Sequence, residues 1–193
     1  MKPVYECFEW DSTWIEHTEN TAACRFLYIG DSISVGTRTP ANALGEGRII
    51  FDHFGTSKAL DNPYFFDSVA LFAAQSANHK AVFFNNGHHG WHLDEETYAT
   101  LYADFLDKLT EKFGTVIPIL TTYSTSEYSP NTRVEARNAV VRKIAAERGL
   151  PVVDFYSVSY ENRDHLTDGI HYDAEGYNAL AAALMRAVKE FCS

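Results

Sequence analysis

The sequence predicts an α/β protein: a three-layer α/β/α sandwich built on a five-stranded parallel sheet. Three observations carry that expectation. Short apolar runs rich in branched and aromatic residues recur five times, and helical segments stand between them. That alternation places the strands in one parallel sheet with helices on both faces. The third run, Ala81–Val82–Phe83–Phe84, is apolar throughout, as a strand buried on both sides requires. At 193 residues the chain suits one domain with a sizeable core.

Residues 1–23 are acidic and carry Tyr5, Phe8, Trp10 and Trp14. Disordered tails have few aromatics, so an N-terminal extension packed on a domain of residues 24–193 is expected. Trp10 and Trp14 suit the packing of a small flap, or stacking on a sugar. The first strand, Cys24 to Ile29, breaks at Gly30, and a helix or loop runs to about Leu44. After Gly45–Glu46–Gly47 comes a second strand, Arg48 to Phe54, ending in Gly55–Thr56–Ser57. Asn62–Pro63 opens a helix to about Asn78, with Pro63 near its first turn and a stripe of Phe66, Val69, Ala70, Ala73 and Ala74. Asp94 starts the next helix, with Glu95 and Glu96 at its positive end, and it closes near Phe113. The fourth strand is Val116 to Thr122, where Pro118 marks an edge or a bulge. Thr132 to Arg148 is a helix closed by Gly149. Pro151 to Phe155 is the fifth strand. A long loop then leads to a helix capped at Asp173 and running to about Phe191.

The formal net charge is −10, which argues against nucleic acid and anionic membrane surfaces as partners. No apolar run approaches a membrane span. The first residues lack the apolar core of a signal peptide, so a cytoplasmic location is expected unless a leader has been removed. Cys7, Cys24 and Cys192 are odd in number and far apart. They form no evident disulfide framework, and a reducing compartment is the milder expectation. Oligomeric state is not legible.

Gly30–Asp31–Ser32 follows a strand and opens a helix. Ligands of open α/β sheets gather at that edge, and a helix N-terminus offers unpaired N–H groups to developing negative charge. Ser32 is there either a nucleophile or a helix N-cap. Far along the chain, Asp168–Gly169–Ile170–His171 supplies a carboxylate and an imidazole. A serine needs a base, and the base needs an acceptor that holds its tautomer. Ser32, His171 and Asp168 fill those roles.

Gly–Asp–Ser early and Asp–x–x–His late resemble the SGNH (GDSL) hydrolase family. The resemblance runs from about Arg25 to the C-terminus. It implies a flavodoxin-like fold, a serine esterase mechanism with no cofactor and no metal, and a small-molecule ester substrate. Short-acyl esters, acetylated carbohydrates among them, are the class it suggests. It also implies that Gly55 lends a backbone N–H to an oxyanion hole with Ser32. The family's third block reads Gly–x–Asn–Asp, and its Asn donates to the oxyanion. The matching frame here is Gly87–His88–His89–Gly90, so His89 stands in place of Asn, with Asn86 as the alternative donor. Asp31 and Trp91 are expected at the substrate.

Two other readings stand beside this one. The chain could be a small-molecule binding module on the same fold. It could also be a metal-dependent hydrolase using the His88–His92 loop, because imidazole is a common zinc ligand. No H-E-x-x-H pattern supports the latter. Ser57 competes as nucleophile, and His17, His53 and His165 compete as base.

Overall fold

A strand buried on both faces must be apolar on both, and Cys24–Gly30 meets that condition from Phe26 to Ile29. In the computed structural model, which describes residues 5, 6, 8–76 and 78–192, this segment is the central strand of the sheet. The chain first forms β1 (Asp11–Trp14), then β2 (Cys24–Gly30), α1 (Ser32–Gly45), β3 (Ile49–Thr56), α2 (Phe65–Ala73) and β4 (His79–Phe84). It continues through α3 (Glu95–Phe113), β5 (Val116–Pro118), α4 (Asn131–Arg148), α5 (Phe155–Glu161) and α6 (Ala174–Ala187). The sheet order is β1-β3-β2-β4-β5. Strands β3, β2, β4 and β5 are parallel, and β1 adds an antiparallel edge.

Successive side chains of β2 point to opposite faces. Leu27 and Ile29 join Phe54, Val82 and Phe84 under α2, α3 and α4. Phe84 stacks on Tyr102 and Phe105, with ring centroids 5.3 and 5.0 Å apart. Phe26 and Tyr28 join Phe51, Phe83, Leu180 and Leu184 under α1 and α6. Two apolar layers around one sheet give the expected sandwich. Among the described residues no helix is long and apolar enough to cross a membrane.

The sheet differs from the expectation at both edges. The N-terminal extension supplies the fifth strand, paired antiparallel to β3 with Asp11 opposite Thr56. The expected strand at 151–155 reduces to a single bridge between Val153 and Ile119. The reason is local: the Asp154 side chain accepts from Ser157 N at 2.9 Å and starts α5 two residues after the bridge. The fourth strand likewise stops at Pro118.

The cysteines depart from the expectation too. Cys24, at the start of β2, is joined by a disulfide to Cys192, 168 positions away. Spacing along the chain says nothing of this, because packing brings the C-terminal segment under β2. The rings of Phe26 and Phe191 lie 5.8 Å apart there. Cys7 lies outside the described residues. Non-reducing mass spectrometry should recover a Cys24–Cys192 peptide pair. Cys192→Ser should lower unfolding stability by about 2–4 kcal/mol in urea titration.

Candidate active site

Ser32 is the first residue of α1, directly after β2 has crossed the sheet. Its position rests on two features of its neighbours. A Cβ at Gly30 would stand 2.7 Å from Ser34 Cβ, so only glycine allows this close approach of strand end and helix start. Asp31 is the N-cap: its Oδ1 accepts from Ile33 N at 2.9 Å. Asp31 was expected at the substrate; instead it is buried, because the helix start needs the cap. Ser32 is therefore not itself the cap, and its N–H belongs to the unpaired set at the helix N-terminus.

His171 comes from the loop before α6. Its Nε2 lies 2.7 Å from Ser32 Oγ, and its Nδ1 lies 2.7 Å from Asp168 Oδ2. The other carboxylate oxygen of Asp168 accepts from His171 N at 2.8 Å and Ile170 N at 3.0 Å. The backbone N–H of His171, followed by its ring, holds the Asp168 carboxyl well below the usual carboxylate range. An ionised Asp168 is acceptor-only, so it takes Nδ1–H and leaves the Nε2 lone pair facing the Ser32 hydroxyl. That arrangement can draw a proton from the hydroxyl.

The other candidates have different partners. Ser57 is buried and accepts from Trp10 N at 2.9 Å while donating to Glu9 Oε2 at 3.1 Å. His53 pairs with Ser34 Oγ at 2.8 Å, and burial pulls its pKa down to about 3. His165 is bonded to Asp173 at 3.0 Å. His17 faces Glu19 at 3.6 Å.

The loop after β4 carries the three neighbouring histidines, and each has a partner of its own. His88 lies between Ser129 Oγ at 2.7 Å and Thr122 Oγ1 at 2.9 Å, and burial pulls its pKa down to about 4. His89 Nδ1 faces Glu6 at 3.0 Å. His92 Nε2 faces Asp61 at 3.0 Å. Among the described residues no three His, Cys, Asp or Glu side chains converge to hold a metal ion. Asn86 uses its amide on Lys58 O at 2.8 Å, which ties two loops together.

Gly55 stands inside β3, opposite Ser12 of β1. Ser57 N donates to Trp10 O at 3.2 Å in the same ladder. Hydrogen-bonded pairs recur at every second residue of an antiparallel ladder, so the N–H of Gly55 faces β1 and not the site. The expectation of a Gly55 oxyanion donor is corrected on that ground. The glycine has a packing reason instead: a Cβ there would stand 2.7 Å from His53 Cε1.

Two residues that hold this loop were not legible as functional. Arg137 of α4 is fully buried, and among the described residues its hydrogen bonds go to backbone carbonyls. It donates to the carbonyls of His89 and Gly90, each at 2.7 Å, and more weakly to Gly87 and Leu93 at 3.3 Å. Its guanidinium stacks 4.0 Å from the Trp91 ring and 4.3 Å from Tyr98. Burial pulls its pKa down to about 10, which leaves it charged at neutral pH. Trp91, expected against substrate, has its ring engaged by Arg137 and Arg133. The second residue is Glu6, which reaches the loop from the N-terminal segment and accepts from Gly90 N at 3.3 Å. A mid-helix arginine and an acidic residue in an extension carry no motif that marks them.

Known proteins resemble this chain in family and fold. Residues 28–179 match the GDSL-like lipase/acylhydrolase family. No curated protein matches the chain. Among solved structures, a lipolytic protein of the G-D-S-L family from Veillonella parvula superposes with a TM-score of 0.69 at 19% identity, over 85% of this chain and 97% of that one. A lipase/acylhydrolase from Enterococcus faecalis gives 0.67 at 19% identity, over 87% and 96%. A mutant of an acetyl-xylooligosaccharide esterase from Geobacillus stearmophilus gives 0.64 at 17% identity, over 87% and 95%.

The Arg137 contacts lead to a stability expectation. Arg137→Lys keeps the charge but loses the planar fork, leaving buried carbonyls without donors. Unfolding in urea should show a loss of about 2–4 kcal/mol, with esterase activity falling as the loop loosens. An unchanged midpoint would remove Arg137 from this role.

Proposed function

The chain belongs to the GDSL-like lipase/acylhydrolase family and is a carboxylic ester hydrolase; from that premise we propose that Ser32, His171 and Asp168 form its catalytic triad. The observation that carries the reading is the unbroken chain of two 2.7 Å contacts, Ser32 to His171 to Asp168, at the N-terminus of α1. Ser32 Oγ attacks the acyl carbon while its proton passes to His171 Nε2. Asp168 holds the ring and stabilises the imidazolium. The tetrahedral intermediate collapses as His171 returns the proton to the departing alcohol. Water then attacks the acyl-enzyme, its proton taken by His171, and the carboxylic acid leaves as Ser32 regains its hydrogen.

Negative charge on the acyl oxygen needs donors that are already in place. The N–H of Ser32 is one, at the positive end of a helix. His89 is the side-chain donor, at the position that the resemblance aligns with the family's Asn; Asn86 is engaged elsewhere. The substrate is a short-acyl ester, with O-acetylated carbohydrates the preferred class. The esterase of acetyl-xylooligosaccharides among the similar structures supports that preference.

Ser32→Ala and His171→Ala should each lower kcat on p-nitrophenyl acetate by roughly 10³-fold or more, with circular dichroism unchanged. A phosphonate should label Ser32 alone. Full turnover in a folded Ser32→Ala variant would overturn the triad. Among p-nitrophenyl esters of graded length, kcat/KM should be highest for acetate; a maximum at a long chain would remove the short-acyl assignment.

A further inference from the structure

The side chain that engages His89 comes from outside the family's matched span, and this is the feature that the reaction above leaves unused. The N-terminal segment is fastened along the edge of the sheet. β1 pairs with β3, Trp10 O accepts from Ser57 N at 3.2 Å, and Lys58 Nζ binds Asp11 at 2.6 Å. From that anchorage the chain reaches back over the loop after β4. Both oxygens of Glu6 lie 3.0 Å from His89 Nδ1. The same carboxylate accepts from Gly90 N at 3.3 Å and from the Tyr128 hydroxyl at 2.7 Å. The Trp10 ring stands edge-on to His89, 6.2 Å between centroids. His89 is thus held by ring and backbone together, since Arg137 grips its carbonyl at 2.7 Å.

Resting on the reading of Ser32 as nucleophile and His89 as donor, we propose that Glu6 is a positioning residue of the esterase site, holding His89 as an imidazolium whose Nε2–H faces the oxyanion. With Nδ1–H given to Glu6, only Nε2 remains to serve the acyl oxygen. In the imidazolium Nε2 carries a hydrogen and donates. In the neutral ring with Nδ1–H retained, Nε2 is a lone pair that repels an oxyanion. The donor therefore exists only in the charged form.

The surroundings favour that form. Burial works against the charge on His89, but its hydrogen bond to Glu6 and the carboxylates of Asp31, Glu6 and Glu9 outweigh it and raise its pKa. The other groups facing it are His88, held neutral by burial, and the Arg137 guanidinium on its own carbonyl. A family asparagine donates at any pH. The histidine with its glutamate gives this chain a donor that is lost as pH rises through the folded pKa of His89.

The test is the pH dependence of kcat on p-nitrophenyl acetate, with circular dichroism on each variant. Wild type should lose turnover at alkaline pH, along a limb set by His89. Glu6→Gln should move that alkaline limb down by about 1–2 pH units. Glu6→Asp should recover part of that shift. His89→Asn should abolish the alkaline limb, and in that background Glu6→Gln should change kcat less than twofold at every pH. A Glu6→Gln profile that superposes on wild type overturns the proposal. So does an equal loss from Glu6→Gln with and without His89, because the glutamate would then act elsewhere. If Glu6→Gln does not fold, an alkaline limb that persists in His89→Asn overturns it. Failure of the triad reading is seen separately, as turnover that survives Ser32→Ala.

Discussion

Strands that run parallel side by side all end on the same edge of a sheet, and the site depends on that constraint. β3, β2 and β4 lie next to one another, with Gly30 level with Gly55 and Ile29 level with Phe84. The segment that leaves each strand therefore begins within a few ångströms of the others. Ser32 follows β2, the Ser57–Lys58 turn follows β3, and the histidine loop follows β4. The apolar layers on either face do not make the chemistry. They hold the three strand ends level, so that a side chain 139 positions from Ser32 in sequence meets it at hydrogen-bond distance.

A parallel edge supplies positions, but its loops must still be held. The loop after β4 carries buried backbone carbonyls, and an unpaired buried carbonyl is costly. A Cβ at Gly87 would fall 1.4 Å from Thr121 Oγ1, so the chain passes against its neighbour with no room for a side chain. Arg137 answers the carbonyls with a single planar group, and the faces of Trp91 and Tyr98 cover its charge in place of a carboxylate. An aromatic that looks like a substrate platform in sequence thus serves the loop from behind.

The electrostatic layout separates two histidine–carboxylate pairs by function. Asp168 holds His171 through backbone and side-chain bonds within one short loop. Glu6 holds His89 across 83 positions, through a segment that also closes the sheet edge. In the proposed reaction the first pair accepts a proton from Ser32, and the second is suited to keep one. His88 and His53, each buried without a carboxylate partner, stay neutral and serve as hydrogen-bond links.

The alternation of apolar runs and helical stripes determined the sandwich, because strand and helix periods are local and differ. Gly30–Asp31–Ser32 and Asp168–x–x–His171 were legible for the same reason: each motif does its work within a few residues, one as a strand-to-helix turn, the other as a carboxylate bonding the next backbone. The tertiary structure alone decided the rest. Whether 151–155 or 11–14 would fill the sheet edge depended on which could pair without a helix starting first. The bond from Asn86 to the carbonyl of Lys58, 28 positions away, could not be read from spacing. The engagement of Gly55 by β1, the Cys24–Cys192 bond, the Arg137 clamp and the reach of Glu6 are all meetings of distant segments. Composition and spacing constrain what a residue can do nearby, whereas packing chooses its partners across the chain.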